Sequence, residues 1–208
     1  MKDINNILIA SLHDRCIFHS EADFQHHLAW RIHQEIENAK LRLEYPLSKD
    51  DSNHWEYCDI LLRTPSIIGL ELKYKTKLLS TEVNEEYFEL KNQGAQDTGR
   101  YDFLKDVSRL EKWCEQGRIN IGYAIILTND HLYWTSPSDK NTVDKEFRIH
   151  DRVISGRLSW GNNASAGTMK SREKPIALKE EYILKWKNSP NPGFKYLLLK
   201  IRRPSEAC

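Results

Sequence analysis

Cys58-Asp59-Ile60-Leu61-Leu62-Arg63, the pair Thr64-Pro65, and Ser66-Ile67-Ile68-Gly69-Leu70-Glu71-Leu72-Lys73 form the stretch that decides the fold. Two β-type runs flank a turn-forming pair, so they read as a hairpin centred on Pro65, with partners obeying i + j = 130. Side chains two apart on a strand share a face, which aligns Glu71 with Lys73, about 7 Å apart. The register sets Asp59 opposite Glu71, with Cβ atoms about 4.5–5.5 Å apart. Like charges in that position repel, and a shared hard cation relieves the repulsion. Mg²⁺ commonly takes one or two carboxylates, completed by water and substrate phosphate. The other face of the hairpin reads as apolar: Cys58, Ile60 and Leu62 against Ile68, Leu70 and Leu72. A charged hairpin face can also be plain solvated surface. Glu89-Leu90-Lys91 repeats the same tripeptide, but within a polar run that lacks strand alternation.

Working outward, Ser20-Glu21-Ala22-Asp23 is a capping box. Phe24, Leu28, Ile32 and Ile36 then recur every four residues, predicting a helix over 20–39. Leu41, Leu43, Tyr45 and Leu47 alternate with polar residues as a strand, and Pro46 puts that strand at an edge. Residues 81–100 read as polar and partly helical. Phe103, Val107, Leu110 and Cys114 mark the buried face of a helix over 98–116, ended by Gly117. Ile119 to Leu127 is nearly all apolar, as in a strand buried on both faces. Beyond it, short strands are expected at 131–135 and 146–154. A hairpin is expected from 178–186 and 194–202, with a mobile loop over 161–174. The expected fold is α/β, with a central mixed sheet flanked by helices and a β-rich C-terminal elaboration. It forms one domain over 1–208, with a core at 18–135 and a basic extension at 145–203.

Composition narrows the classes. The 208 residues are 39% hydrophobic and 29% charged, which suits a globular domain. No apolar run approaches the roughly 18 residues of a membrane span, so no membrane partner is expected. Nothing at the start resembles a signal peptide, which points to the cytoplasm. Cys16, Cys58, Cys114 and Cys208 form no Cys-x-x-Cys pair, so neither a zinc site nor a disulfide framework is indicated. The net charge of +1 hides a division. Residues 1–147 carry 18 Lys and Arg against 25 Asp and Glu, whereas residues 148–208 carry 13 against 5. Such a tail either grips phosphates or shows its cations to solvent.

A capped helix with an early Glu, a strand, a strand with Asp, a strand with Glu-x-Lys, a helix and a buried strand together resemble the PD-(D/E)xK nuclease superfamily. The resemblance covers roughly residues 18–135, with Cys58 where the motif's name has Pro. It implies a restriction endonuclease-like core and a Mg²⁺-dependent phosphodiester hydrolase, Mn²⁺ being an alternative ion. Asp59 and Glu71 would be metal ligands, joined by the Leu72 carbonyl, and Lys73 would be the electrostatic partner. Glu21 matches the helix Glu that many members carry near the metal. Gln93, Gln96, Arg100 and Tyr101 are candidates for holding substrate, which by the same analogy is DNA. The tail adds Lys170, Arg172 and Lys174, within a pool that also holds Arg148, Arg152, Arg157, Lys185 and Lys187. A non-catalytic nucleic-acid-binding or assembly module on the same fold is the competing reading. A homodimer stays open.

Overall fold

The computed structural model describes residues 3–15, 17–138 and 141–202. Its chain order is α1 (Ile4–Asp14), α2 (Glu21–Glu35), β1 (Lys40–Lys49), β2 (Trp55–Arg63), β3 (Ile67–Lys75), β4 (Leu79–Val83), β5 (Glu86–Leu90), α3 (Gln96–Glu115) and β6 (Ile121–Thr128). There follow β7 (Arg152–Leu158), the single turn α4 (Ala166–Met169), β8 (Ile176–Leu184), β9 (Lys187–Asn188) and β10 (Lys195–Arg202). Six strands form a central sheet in the order β1-β2-β3-β6-β10-β9. It is mixed: β3 and β6 run parallel, while the β1–β2, β2–β3 and β6–β10 pairs are antiparallel.

Sequence pattern explains the layering. Alternate residues of β3 and β6 divide between two cores. Ile68, Leu70, Leu72, Tyr123, Ile125 and Leu127 pack with α1 and α2, whereas Ala124 and Ile126 pack with α3. β6 is buried on both faces because helices cover both sides, and this is why its sequence is an unbroken apolar run. Pro46 lies in β1, an edge strand, where its missing N–H breaks no ladder. Gly117 closes α3 at φ 67°, in the left-handed region that favours glycine. Ser20 caps α2 by accepting from the Asp23 N–H at 3.1 Å, as the capping box predicts.

Several expectations are corrected. Within 81–100 only the stretch from Gln96 is helical, and residues 79–90 form a two-stranded hairpin, β4–β5, that was not expected. Its turn residues Asn84 and Glu85 both have positive φ, 52° and 66°, which is a tight hairpin turn without the usual glycine signal. Residues 131–135 hold a 3₁₀ turn, His131–Tyr133, capped by the Asp130 side chain, where a strand was expected. Lys145–Phe147 is likewise 3₁₀, so the strand expected at 146–154 begins only at Arg152.

Residues 178–186 and 194–202 do not pair with each other. β8 pairs with β7, and β10 enters the central sheet beside β6. β10 is apolar enough to be buried there, with Tyr196, Leu197, Leu199 and Ile201 all in the core. The β7–β8 pair covers α3: Ile154, Leu158, Ile176, Leu178, Tyr182 and Leu184 share one core cluster with Leu104 and Val107. Glu111 of α3 secures that layer by accepting from the N–H groups of Lys179 and Glu180 and from the Tyr182 hydroxyl. Helix α1 was not anticipated. Cys58 and Cys114 are free and buried, as expected, while Cys16 and Cys208 lie outside the described residues. Among the described residues no helix is long and apolar enough to cross a membrane.

Candidate active site

The β2–β3 hairpin has the expected register: Ile60 pairs with Leu70, Leu61 with Gly69, and Leu62 with Ile68. That ladder stops one pair short of Asp59. On the other side of β2, Tyr45 pairs with Cys58 and Leu43 with Ile60, but Glu44 and Asp59 are skipped. Glu44 sits at φ 46°, a left-handed conformation that costs a non-glycine residue energy and needs outside support. Gln25 of α2 provides it, donating its side-chain amide to both Glu44 Oε1 and the Asp59 carbonyl, each at 2.7 Å.

The kink has two consequences. Asp59 turns toward β3, where its Oδ2 accepts from the Leu72 N–H at 2.6 Å. Cys58 moves to the α3 side of the sheet, packing with Leu61. It was expected beside Ile60 and Leu62, and the broken alternation at Asp59 is the reason. Gly69 leaves room for it, since a Cβ there would meet the Cys58 sulfur at 3.3 Å.

Glu71 and Lys73 lie on the α3 side of β3, and α3 brings two more charges to them. Asp106 Oδ2 is 2.6 Å from the Lys73 ammonium, and Asp106 Oδ1 accepts from Arg109 at 2.9 Å. The Arg109 guanidinium also pairs with Glu71 Oε2. Asp106 and Arg109 are one turn apart on α3, the spacing that aligns side chains on one helix face. Lys73 further donates to the Leu72 carbonyl at 3.1 Å. Glu21, the first residue of α2, accepts from the Tyr74 N–H at 2.7 Å, so it looks inward as expected.

Electrostatics follow from burial. Glu71 is 1% exposed, and burial pushes its carboxyl well above the usual range, against the opposing pull of Arg109. Burial also raises Asp59, to about 6, with Lys73 and the Leu72 N–H holding it down. For Lys73 burial disfavours the charge, but Asp106, Glu21 and Asp59 together outweigh it and push the ammonium up. Arg109 is raised in the same way by Asp106 and Glu71. The cluster is thus a compact block of three carboxylates and two cations, with Glu71 Oε1 buried and without a hydrogen-bond partner.

Asp59 and Arg109 open onto a cleft of about 630 Å³ between the β1–β2 tip, α3 and the segment at 171–174. Lys174 lines it, as do Lys105 and Lys112 of α3. The other predicted contacts are placed elsewhere. Arg100 is buried, bound to Asp144 and to the Leu132 carbonyl, and so holds the fold together. Gln96 donates to Asp130 at 2.7 Å. Arg172 forms a two-pronged pair with Asp102, both contacts 2.7 Å, which ties the segment expected to be a mobile loop onto α3. Gln93 and Lys170 are exposed outside the cleft. Tyr101 lines the cleft, its hydroxyl donating to the Lys174 carbonyl.

Gln25, Glu44, Asp106 and Arg109 were missed. For Asp106 and Arg109 the signal was present: they share a helix face with the apolar stripe Phe103, Val107 and Leu110, where a charge needs a partner. Among the described residues no three His, Cys, Asp or Glu side chains form a metal-holding group. The nearby oxygen donors are two carboxylates, Asp59 and Glu71, which feel each other's charge, and the Leu72 carbonyl, which accepts from Lys73. No family model, curated protein or solved structure matches the chain.

Proposed function

We propose that the chain is a metal-dependent nuclease of the PD-(D/E)xK type that hydrolyses phosphodiester bonds in DNA. The observation that carries this reading is the clustering of Asp59, Glu71 and Lys73 within reach of one another's charge, with Asp59 reaching a cleft and Glu71 buried behind it. The order of elements supports it too: α2, three antiparallel strands, α3, and a buried strand parallel to β3 suit a restriction endonuclease-like core.

The donor set fits a hard divalent cation. Asp59, Glu71 and the Leu72 carbonyl offer only oxygen, as Mg²⁺ and Mn²⁺ prefer, and Glu71 Oε1 has no donor of its own. When bound, such an ion supplies Lewis acidity and a more acidic water. Lys73 keeps its proton because Asp106 stands 2.6 Å away, so it presents a fixed positive charge to a phosphate. Asp106 orients that ammonium, and the Leu72 N–H fixes the direction of Asp59.

One observation favours the non-catalytic alternative: Arg109 already neutralises Glu71. The test that separates the two is incubation of the protein with linear, circular, single-stranded and branched DNA in Mg²⁺, beside Lys73→Ala. Cleavage lost in the variant supports the nuclease. Binding without cleavage on every substrate supports the module.

A further inference from the structure

The cleft beside Asp59 has two unlike walls. On β2, Trp55 and Tyr57 both line it, and they are 53% and 46% exposed. On α3, Lys105, Arg109 and Lys112 line it at a four- then three-residue spacing, which makes them one stripe along the helix. Large aromatic side chains left this open beside a charged stripe call for a ligand that has both flat apolar faces and anionic groups.

Spacing narrows the ligand. Two residues along a strand advance about 6.8 Å, so Trp55 and Tyr57 are rungs about that far apart. Bases in a duplex follow one another every 3.4 Å per strand. A base on each rung must therefore be parted from its neighbour, and only a single strand does this freely. The cation stripe is built to match, because Lys105 to Lys112 spans about 10 Å of helix axis, the length of a few phosphates.

Charge points the same way. Lys112 is paired with Glu56 at 3.1 Å, Lys174 faces Asp51 at 3.7 Å, and Arg109 is held by Glu71 and Asp106. Lys105 makes no salt bridge among the described residues. A cleft this nearly balanced offers little to the dense double row of phosphates on a duplex. Stacking has to supply most of the affinity, and base–aromatic stacking is indifferent to sequence.

We propose that this cleft is a binding site for single-stranded nucleic acid, with successive bases on Trp55 and Tyr57, phosphates along α3, and the backbone led toward Asp59. The inference rests on the nuclease reading only in taking Asp59 as the reacting end. In this arrangement α3 carries the phosphate contacts, and of the basic tail Arg172 is already engaged by Asp102.

The experiment is fluorescence anisotropy of labelled 20-mer oligo-dT, oligo-U and a duplex of equal length. It is run in EDTA, so that cleavage plays no part, with the wild type, Trp55→Ala, Tyr57→Ala and Trp55→Phe. Oligo-dT should bind at least about tenfold more tightly than duplex. Each alanine variant should weaken it by about 5- to 150-fold, with duplex affinity unchanged and Trp55→Phe restoring most of the loss. The salt slope should be shallow, about −1.4, as for two phosphates at 0.7 each. Comparison of oligo-dT with oligo-U tells DNA from RNA as the natural strand. Equal or tighter duplex binding, or alanine variants that bind oligo-dT like the wild type, would overturn the proposal. Tight single-strand binding in EDTA, with no cleavage when the same oligonucleotides are incubated separately in Mg²⁺, would keep the site and remove the nuclease. Duplex cleavage indifferent to Trp55 and Tyr57 would do the reverse.

Discussion

Arg109 holds Glu71 by Oε2, and so already neutralises one of the two carboxylates proposed to hold a divalent cation. Glu71 is 1% exposed, so removing Arg109 leaves a buried carboxylate with no compensating charge at that oxygen. Arg109→Gln should lose about 3–5 kcal/mol of stability in EDTA, the usual cost of stranding one member of a buried pair. The same variant should bind Mn²⁺ more tightly than the wild type, because the competing cation is gone. Thermal melts with and without Mn²⁺ check both halves: the metal-induced rise in melting temperature should be larger in the variant. An equal or smaller rise would show that Arg109 and the metal do not compete.

Asp59 has a raised carboxyl, about 6 when folded, because burial disfavours its charge. A group raised on folding binds its proton more tightly in the native state, so ionising it destabilises the fold. The penalty is absent below the unfolded value near 3.8, grows as pH rises toward 6, and is complete above that. Asp59→Asn should therefore stabilise the metal-free protein at pH 7.5 by about 1–3 kcal/mol, the full linkage value being the upper limit. The gain should vanish near pH 4, and denaturant melts at the two pH values measure it. Metal affinity, which needs the carboxylate, should fall as pH drops below 6.

Gln25 supports the kink from α2. It bonds Glu44 and the Asp59 carbonyl and is itself buried, so Gln25→Ala strands two acceptors. The expected cost is about 1–3 kcal/mol. Because the kink sets the direction of Asp59, activity at a temperature where the variant is fully folded should fall more than for an ordinary core truncation. A folded variant with unchanged activity would mean that Asp59 holds its place without Gln25.

Arg172 and Lys105 make opposite predictions. Arg172 is engaged by Asp102, whereas Lys105 faces the cleft without a salt bridge among the described residues. Lys105→Gln should flatten the salt slope for single-stranded DNA by about 0.7. Arg172→Gln should leave that slope unchanged and lower the melting temperature. The reverse pattern would return the grip to the tail.

The sequence made much of the frame legible where local pattern and burial agree. The β2–β3 register, the capped helix α2, the two-faced apolar strand β6 and the glycine after α3 all follow from periods and caps. What escaped depends on partners far along the chain. Asn84 and Glu85 form a hairpin turn with no glycine to announce it, so β4 and β5 looked like a polar run. Tyr196 to Ile201 could have paired with β8 by composition alone, but the open side of β6 decides its place. At the site, strand alternation correctly aligned Glu71 with Lys73. It misplaced Cys58, because the left-handed backbone at Glu44 and the unpaired Asp59 break the period there and are held from another element by Gln25. Arg100 looked available as a polar residue near a helix start, and Asp144, 44 residues on, takes it into the interior.

The central claim is that Asp59, Glu71 and Lys73 act together on a phosphodiester. Its most direct measurement is the cleavage rate of labelled DNA in Mg²⁺ and in EDTA, for the wild type, Asp59→Asn, Glu71→Gln and Lys73→Ala, each first shown to be folded. The account predicts cleavage by the wild type in Mg²⁺ only, and a loss of at least about a hundredfold in every variant, the scale of one transition-state electrostatic contact. Cleavage that persists undiminished in EDTA, or in all three variants, would contradict it.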